Sequence, residues 1–291
     1  MASIPIRVAR TYDSRRRHEA LDFGYGWSID YQDITIDETT EPSKGWDSYQ
    51  QKMTFFINDS YVTLRGTCIK PTTTKRVTIT LPTDEVEEFS VKAHNASGGA
   101  QALGDPDCYM VAGNVYDLEF IAENDTESTL TSSDAVGLYF NHGTGNMQPD
   151  LSEFIPAAIN RYTLTTREGY IYSLDQDFGI TQVKTPNGQT LTYNESGIHH
   201  SAGKSVHFQR DDQGRITQIT DPSNQTVMAY SYNTAGDLTT ASEALGDSSY
   251  RYNQTHGLID ILSGGQPLLK NIYDDQGRLI AQEDSNGVNL P

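Results

Sequence analysis

The chain has 291 residues, with 21 Lys and Arg against 39 Asp and Glu, and its formal net charge of −18 repels phosphate backbones. Nucleic acid is therefore excluded as an expected partner, and the absence of any run of about 18 apolar residues excludes a membrane-spanning helix. Aromatic residues make up 10% of the chain, with 17 Tyr and 24 Gly, which is typical of short strands joined by tight turns. The sequence predicts an all-β fold.

Residues 1–36 form the predicted opening segment. The first twelve residues alternate apolar side chains with arginine and contain no apolar stretch, so no secretory signal is expected there. Residues 22–28 follow with three aromatics around two glycines, at Phe23, Gly24, Tyr25, Gly26 and Trp27. Two interpretations are open: a packed start to the sheet, in which glycine permits close backbone approach, or a platform on which sugars stack.

Residues 37–160 form a predicted β-rich lead-in region. Alternating, β-branched runs such as residues 53–57, 61–64, 76–81, 116–120 and 136–140 favour strands throughout. A helical turn is expected only at residues 151–159, where Pro156 limits its length. The region is interpreted either as strands of the same sheet with longer excursions or as a small appended β-domain.

Residues 161–291 contain about six copies of one pattern, in which an alternating strand ends at an aromatic and is followed by Asp/Asn-rich sequence and a glycine. The clearest copies begin at Phe208, Tyr230, Tyr250 and Tyr273. The turn glycines recur every 17–22 residues, at Gly179, Gly197, Gly214, Gly236, Gly257 and Gly277. A period of this length accommodates two strands and two turns, so each copy predicts one β-hairpin and the series predicts a long antiparallel meander.

The run Tyr-Asp-Asp-Gln-Gly-Arg-Leu at residues 273–279 resembles the YD repeat of the rearrangement-hotspot (RHS) family, which includes bacterial polymorphic toxins, toxin-complex components and teneurins. The opening segment also resembles the start of bacterial RHS cores. This resemblance favours the packed-start interpretation of residues 22–28. It implies a meander that forms part of a spiralling shell, as the N-terminal part of a protein that encloses a C-terminal toxin domain and helps deliver it.

The resemblance implies further expectations for this chain. The chain is expected not to be an enzyme and to need no cofactor. Its expected partners are the remaining repeats and an enclosed toxin cargo. It is expected to be secreted or at the cell surface, as part of a longer bacterial chain. Two sets of structural positions are expected. Aromatic residues plate the sheet at Tyr193, Phe208, Tyr232, Tyr252 and Tyr273, and glycines adopt positive φ at Gly214, Gly236, Gly257 and Gly277.

The alternative function is an adhesion or carbohydrate-binding module, with glycans stacking on Trp27, Trp46 and clustered tyrosines. A hydrolytic enzyme is a third hypothesis, but the sequence contains no Gly-x-Ser-x-Gly elbow, and neither cysteine lies in a recognisable nucleophile context. His199, His200 and His207 match no standard zinc spacing, so no metal site is expected. Cys68 and Cys108 could form one disulfide or remain two buried thiols.

Overall fold

The computed structural model describes residues 4–32, 34–96, 101–102, 105–109, 115–152, 154–244 and 246–290. These residues lie mainly in antiparallel strands and their turns, which confirms the predicted all-β fold. Short 3-10 turns occur at Ser14–Arg16, Asp30–Gln32 and Ser133–Ala135.

The chain divides into two compact units. Unit 1 consists of Met1–Asp33 together with Asn187–Pro291, and unit 2 consists of Ile34–Pro186. The opening segment and most of the repeats therefore belong to the same unit. These division points differ from the boundaries predicted after residues 36 and 160.

The opening segment contributes four short strands to unit 1. They are β1 (Arg10–Tyr12), β2 (Ala20–Leu21), β3 (Gly24–Tyr25) and β4 (Trp27–Ile29). β1 pairs with β4, and β2 pairs with β3, both antiparallel. These small ladders fold the segment back on itself, so that it presents aromatic side chains from several strands.

Unit 2 contains fourteen strands in its described part. They are β5 (Thr35–Glu38), β6 (Trp46–Ile57), β7 (Ser60–Pro71), β8 (Arg76–Thr80), β9 (Val86–Asn95), β10 (Gln101–Ala102), β11 (Asp105–Tyr109), β12 (Val115–Ala122), β13 (Thr129–Thr131), β14 (Leu138–Asn141), β15 (Asn146–Gln148), β16 (Arg161–Thr165), β17 (Ile171–Asp175) and β18 (Gly179–Lys184). The predicted helical turn at residues 151–159 is wrong for residues 151–152 and 154–159, which form bends and irregular structure. Pro156 accounts for this, since proline lacks an N–H donor and the residue before it disfavours the helical region.

The strands of unit 2 form two sheets. One contains β5, β8, β9 and β12, and continues through β13 to β16, β17 and β18, with β14 and β15 branching from β12. The other has the order β10-β11-β7-β6 and is built on a hairpin of two twelve-residue strands. In this second sheet the backbone of Cys108 lies opposite that of Cys68, and Cys68 is disulfide-bonded.

The repeats of unit 1 form ten consecutive strands. They are β19 (Thr190–Asn194), β20 (Gly197–His200), β21 (Ser205–Arg210), β22 (Ile216–Thr220), β23 (Thr226–Tyr232), β24 (Leu238–Glu243), β25 (Gly246–Tyr252), β26 (Leu258–Ser263), β27 (Gln266–Tyr273) and β28 (Leu279–Asp284). Each strand pairs antiparallel with the next, so the predicted meander is present in this unit.

Three hairpins of this meander share one register. The last aromatic of the first strand pairs with the first leucine of the second, as in Tyr232 with Leu238, Tyr252 with Leu258 and Tyr273 with Leu279. The register shifts next to each of these aromatics, which marks a β-bulge beside the turn. A turn closed by a bulge is a common hairpin connection, and it needs a residue with positive φ.

Candidate functional site: the opening segment on the YD turns

The hairpin turns that follow the repeat aromatics are here called the YD turns; their residues are 211–215, 233–237, 253–257 and 274–278. In the last of them, the Asp274 carboxylate accepts hydrogen bonds from the backbone N–H groups of Gln276 and Arg278, both at 2.9 Å. Asp211 does the same for the N–H groups two and four residues later. An aspartate directly after the strand therefore mimics a backbone turn and stabilises it, which explains the Asp of the repeat motif.

The arginine of the motif closes the same turn. Arg278 pairs with Asp274 and Arg215 pairs with Asp211, each with N···O separations of 2.7 Å. Hydrogen bonds from the backbone and side chain of Arg278 lower the pKa of Asp274. In Asp211 desolvation opposes ionisation, but the hydrogen bonds from Arg215 outweigh it and the pKa is also lowered. The Arg215 guanidinium also lies 4.3 Å from the ring centroid of Tyr232, which links the first YD turn to the next hairpin.

Three of the four glycines expected at positive φ adopt it. The φ angles are +81° at Gly214, +93° at Gly236 and +73° at Gly277. The expectation for Gly257 is wrong, because the left-handed residue of that turn is His256, with φ of +63°. His256 stands four residues after the aromatic, the place that glycine occupies in the neighbouring hairpins.

His256 compensates for its strained backbone with two side-chain contacts. Its Nδ1 lies 2.7 Å from the carboxylate of Asp237, which is itself buried. Its ring stacks on Tyr25 with centroids 3.9 Å apart and an interplanar angle of 23°. Asp237 belongs to the preceding YD turn and Tyr25 to the opening segment, so His256 joins two repeats and the segment that covers them.

The opening segment packs its aromatic residues directly on the repeat tyrosines. Phe23 is completely buried, with its ring centroid 4.8 Å from that of Tyr230. Trp27 is 5% exposed, lies 5.0 Å from Tyr250 and donates from its indole Nε1 to the Tyr252 hydroxyl at 2.8 Å. Two aromatics of the opening motif thus contact two successive hairpins.

The same segment also accepts hydrogen bonds from the backbone at the start of the second strand in two of the hairpins. The N–H of Ile216 donates to the carbonyl oxygen of Asp22 at 2.7 Å, and the N–H of Leu258 donates to the Tyr12 hydroxyl at 3.0 Å. At the intervening hairpin a Cβ on Gly24 would lie 2.5 Å from the Gly236 carbonyl oxygen, so only glycine allows this approach. The opening segment therefore contacts three consecutive hairpins at equivalent positions.

An ion pair fixes the start of this contact. Arg210 pairs with Asp22, whose side chain is 8% exposed, and also donates to the carbonyl oxygens of Glu195 and Gly214. Further along the segment, the ring of Tyr31 lies 4.8 Å from that of Tyr193. The opening segment thus reaches the first hairpin of the unit as well.

Four of the aromatic positions predicted to plate the sheet lie shortly before a YD turn, and Tyr193 lies before the turn of the first hairpin. Phe208 is 7% exposed, and the other four side chains are partly buried. The hydroxyls of Tyr232 and Tyr273 donate to the carbonyl oxygens of Ile216 and Leu258, each in the preceding hairpin. Burial raises the pKa of Tyr252, which holds its proton while it accepts from Trp27.

Sequence reasoning missed several residues of this site. Tyr230 and Tyr250, each 7% exposed, are the rings that Phe23 and Trp27 contact, although the prediction named the tyrosines two residues later. A usable signal was present, because side chains two residues apart in a strand share a face. Arg10 was also missed; its guanidinium carbon lies between 5.3 and 5.9 Å from the centroids of three rings, and no motif marks it.

The histidine cluster has local structural roles. The rings of His199 and His207 lie 5.7 Å apart, and His200 accepts from the backbone N–H of Ala202 through Nδ1. In the described parts of the chain, no group of three or more His, Cys, Asp or Glu side chains is placed to hold a metal ion. No helix among the described residues is long and apolar enough to span a bilayer.

The geometry of the site is that of a packed contact between one segment and a row of repeated turns, with aromatic rings at its centre and hydrogen bonds and one ion pair beside them. A comparison with protein families gives it a context. Residues 152–266 match the teneurin YD-shell family. The match covers less than half of the chain and includes three of the four YD turns. It confirms the predicted resemblance to RHS/YD-repeat proteins over these residues, and the YD shell is a structural family. No curated protein matches the chain.

Proposed function

We propose that this chain forms the N-terminal part of an RHS/YD-repeat shell that encloses a C-terminal toxin domain and helps deliver it. Its own role is structural and not catalytic. Its partners are the further repeats of the same shell and the enclosed domain.

The observation that carries the proposal is the docking of the opening segment on the YD turns. A meander that has to enclose another domain needs its strand ends held at fixed spacing, and a segment bonded to three successive hairpins supplies such a restraint. Phe23 and Trp27 bury their rings in this contact, and Trp27 also donates a hydrogen bond to Tyr252. The ion pair between Arg210 and Asp22 lies in the same contact. Burial of large aromatic side chains is among the strongest contributions to packing, so this restraint is stiff.

Delivery outside the producing cell is supported by the cysteine chemistry. Cys68 is disulfide-bonded, in a sheet whose register places the Cys108 backbone opposite it. Disulfides persist mainly in oxidising compartments such as the periplasm and the extracellular space. A secreted or cell-surface location is therefore part of the proposal.

The carbohydrate-binding alternative has lost its main support. Trp27 is 5% exposed and Trp46 is 2% exposed, and the indole N–H of each donates within the protein, to Tyr252 and Pro42 respectively. A tryptophan that stacks on a sugar has to present a ring face to solvent. These two do not, so no observation favours a glycan platform at either of them.

The test uses the complete natural protein that contains this chain. We expect its C-terminal domain to resist protease while the shell is intact, and to become cleavable when Phe23→Ala removes the ring between the opening segment and Tyr230. Limited proteolysis followed by mass spectrometry measures the cleavage rate of that domain. Leu268→Ala is the matched control, because this side chain is 57% exposed on the same meander and its loss should leave protection unchanged.

A second arm does not depend on how well the variant folds. The C-terminal domain produced alone is digested beside the complete protein under the same conditions. Equal cleavage rates of the domain in these two samples would overturn the proposal, since a shell that encloses nothing gives no protection.

A further inference from the structure

A small cavity in unit 1 lies where the opening segment meets the last two hairpins. Its volume is about 290 Å³ and its wall is mainly apolar and aromatic. The lining side chains that define it are Tyr12, Trp27, Leu269, Tyr273 and Leu279. Mostly apolar cavities of about this size with a few convergent polar groups are typical of binding sites for small organic groups.

Arg10 is the one charged side chain among the described residues that line this cavity. Its Nη2 donates to the Tyr250 hydroxyl at 2.7 Å, and its guanidinium lies close to the rings of Trp27, Tyr230 and Tyr250. The Arg10 side chain also hydrogen-bonds to Tyr230. A guanidinium carries five N–H donors, so two partners leave donors for another acceptor.

Arg10 differs from the other arginines of this unit's hairpins. Arg210, Arg215 and Arg278 each pair with an aspartate, whereas within the described residues no carboxylate lies at ion-pair distance from Arg10. A half-buried cation without an anion is uncommon in a chain with a net charge of −18. Aromatic rings stabilise such a cation, and a carboxylate in bidentate geometry would stabilise it further.

Four other polar side chains of the wall already have partners within the protein. The Tyr12 hydroxyl donates to the carbonyl oxygen of His256, and the Tyr273 hydroxyl donates to the carbonyl oxygen of Leu258. The Asn271 amide donates to the same Leu258 oxygen and accepts from Gln282. Apart from the hydroxyls of Thr11 and Ser14, the donors that this wall offers to a ligand are those of Arg10, which lie next to apolar side chains.

We propose that this cavity binds a carboxylate carried on an apolar body, with the carboxylate on Arg10 and the apolar part against Trp27, Leu269 and Leu279. Two sources share this chemistry: a free organic acid, and the C-terminal carboxylate of a peptide that ends in a large apolar residue. The site does not depend on the proposed shell function, because the residues that line it belong to the opening segment and to the repeats of unit 1.

The experiment titrates the full chain with 3-phenylpropionate and with its uncharged amide, 3-phenylpropionamide, and follows binding by calorimetry. Because the charge-assisted contact is lost in the amide, we expect the acid to bind at least about tenfold more tightly. Acetyl-Leu-Phe with a free carboxylate, and the same peptide amidated, test the second source in the same way. Binding of the acid alone identifies a small-molecule ligand, and binding of the peptide identifies a chain terminus; either result supports the site.

Two variants locate the binding. Arg10→Gln removes the charge but keeps donors for Tyr250, and it should weaken binding of the acid by about tenfold or more. Leu279→Trp should block the cavity, and it is tolerable because the Leu279 side chain is 40% exposed. Arg15→Gln is the control, since that side chain is 88% exposed and pairs with Asp13; affinity should not change.

Three results would overturn the proposal. They are equal affinity for the acid and its amide, unchanged affinity in Leu279→Trp, and no saturable binding of any of the four probes at concentrations up to about 10 mM. Thermal unfolding of each variant shows whether it is folded. Should Arg10→Gln fail to fold, the acid–amide comparison and Leu279→Trp still decide the question.

Discussion

The two ends of the strands in the ten-stranded meander use similar turns in different surroundings. At the end that carries the YD turns, a Cβ on Gly236 would lie 3.0 Å from the Tyr25 ring, and one on Gly277 would lie 2.7 Å from Arg17. At the opposite end, no described atom lies within 4 Å of the place that a Cβ would take on Gly246, Gly265 or Gly287. The position is also open at Gly214 in the first YD turn, so local turn chemistry is enough to reverse the chain. At Gly236 and Gly277 the opening segment adds a close packing contact to the turn.

Among substitutions that test this difference between the two ends, Phe23→Ala is expected to cause the largest loss of stability. Phe23 is completely buried between the opening segment and the hairpins, so its truncation should lower the free energy of unfolding by about 3–5 kcal/mol. Urea unfolding followed by tryptophan fluorescence measures the change. Leu268→Ala, at an exposed position of β27, should stay within about 0.5 kcal/mol. Equal losses in the two variants would mean that the opening segment is not part of the core.

The next largest difference in the free energy of unfolding is expected between two leucines at equivalent positions beside the YD turns. Leu258 is 2% exposed where Tyr12 covers its hairpin, whereas Leu279, at the same place in the last hairpin, is 40% exposed. Leu258→Ala should therefore cost about 2–5 kcal/mol, and Leu279→Ala less than half as much. Chemical denaturation of both variants checks this. A Leu279→Ala loss as large as that of Leu258→Ala would show that position 279 is covered in solution.

Gly236→Val and Gly265→Val compare the two ends directly. Both glycines have positive φ, at +93° and +81°, so a β-branched residue should cost more than about 1 kcal/mol at either. The loss should be larger at Gly236, because the new side chain also meets the Tyr25 ring. Thermal unfolding gives the difference. Unfolding of Gly236→Val that is indistinguishable from the parent would contradict the assigned turn.

The smallest expected effect is on the stability of the protein at low pH, and it should appear in turns at both ends of the meander strands. Hydrogen bonds from the backbone of Arg278 and of Val288 lower the pKa values of Asp274 and Asp284 below the ordinary value of 3.8. A folded-state pKa below that of the unfolded chain adds stability above about pH 4, and this is lost as the pH falls through the folded value. Asp274→Asn and Asp284→Asn should each flatten the loss of stability between about pH 4 and pH 2.

Urea midpoints measured across that pH range test this expectation. Asp274→Asn should show the larger change, because Asp274 also pairs with Arg278, whereas the partners of Asp284 are Asn286 and Val288. Acid curves of both variants that overlay the parent would show that these turns do not contribute to acid sensitivity.

The hairpins could be predicted from the sequence because their determinants are local. Aromatic, aspartate and glycine at fixed spacing are enough to specify a bulged turn. The prediction of positive φ at Gly257 was wrong because it was based on the position of glycine in the sequence. The feature that stays constant between these hairpins is the spacing from the aromatic residue to the leucine. Tyr252 and Leu258 are six residues apart, as are Tyr232 and Leu238, and this spacing assigns the left-handed position to His256.

The docking of the opening segment could not be predicted in the same way. The motif at residues 22–28 indicated packing but not its partners, since a run of aromatics and glycines does not specify which hairpins it meets. Trp27 bonds to Tyr252, 225 residues later, and Arg10 reaches Tyr250 across 240 residues. Contacts of this kind depend on the curvature and register of the whole meander, which no short window of sequence contains.

These long separations also govern the order of events during synthesis. The Tyr12 hydroxyl bonds to the carbonyl oxygen of His256, 244 residues later, and a ribosome adds about 5–20 residues per second. The aromatic side chains of the opening segment therefore leave the ribosome roughly 10–50 s before their partners exist. The lead-in strands and the hairpins form from neighbouring residues in the meantime. The opening segment is thus translated before every hairpin that it contacts and is buried in unit 1 only after them, so its apolar rings stay exposed on the nascent chain during that interval.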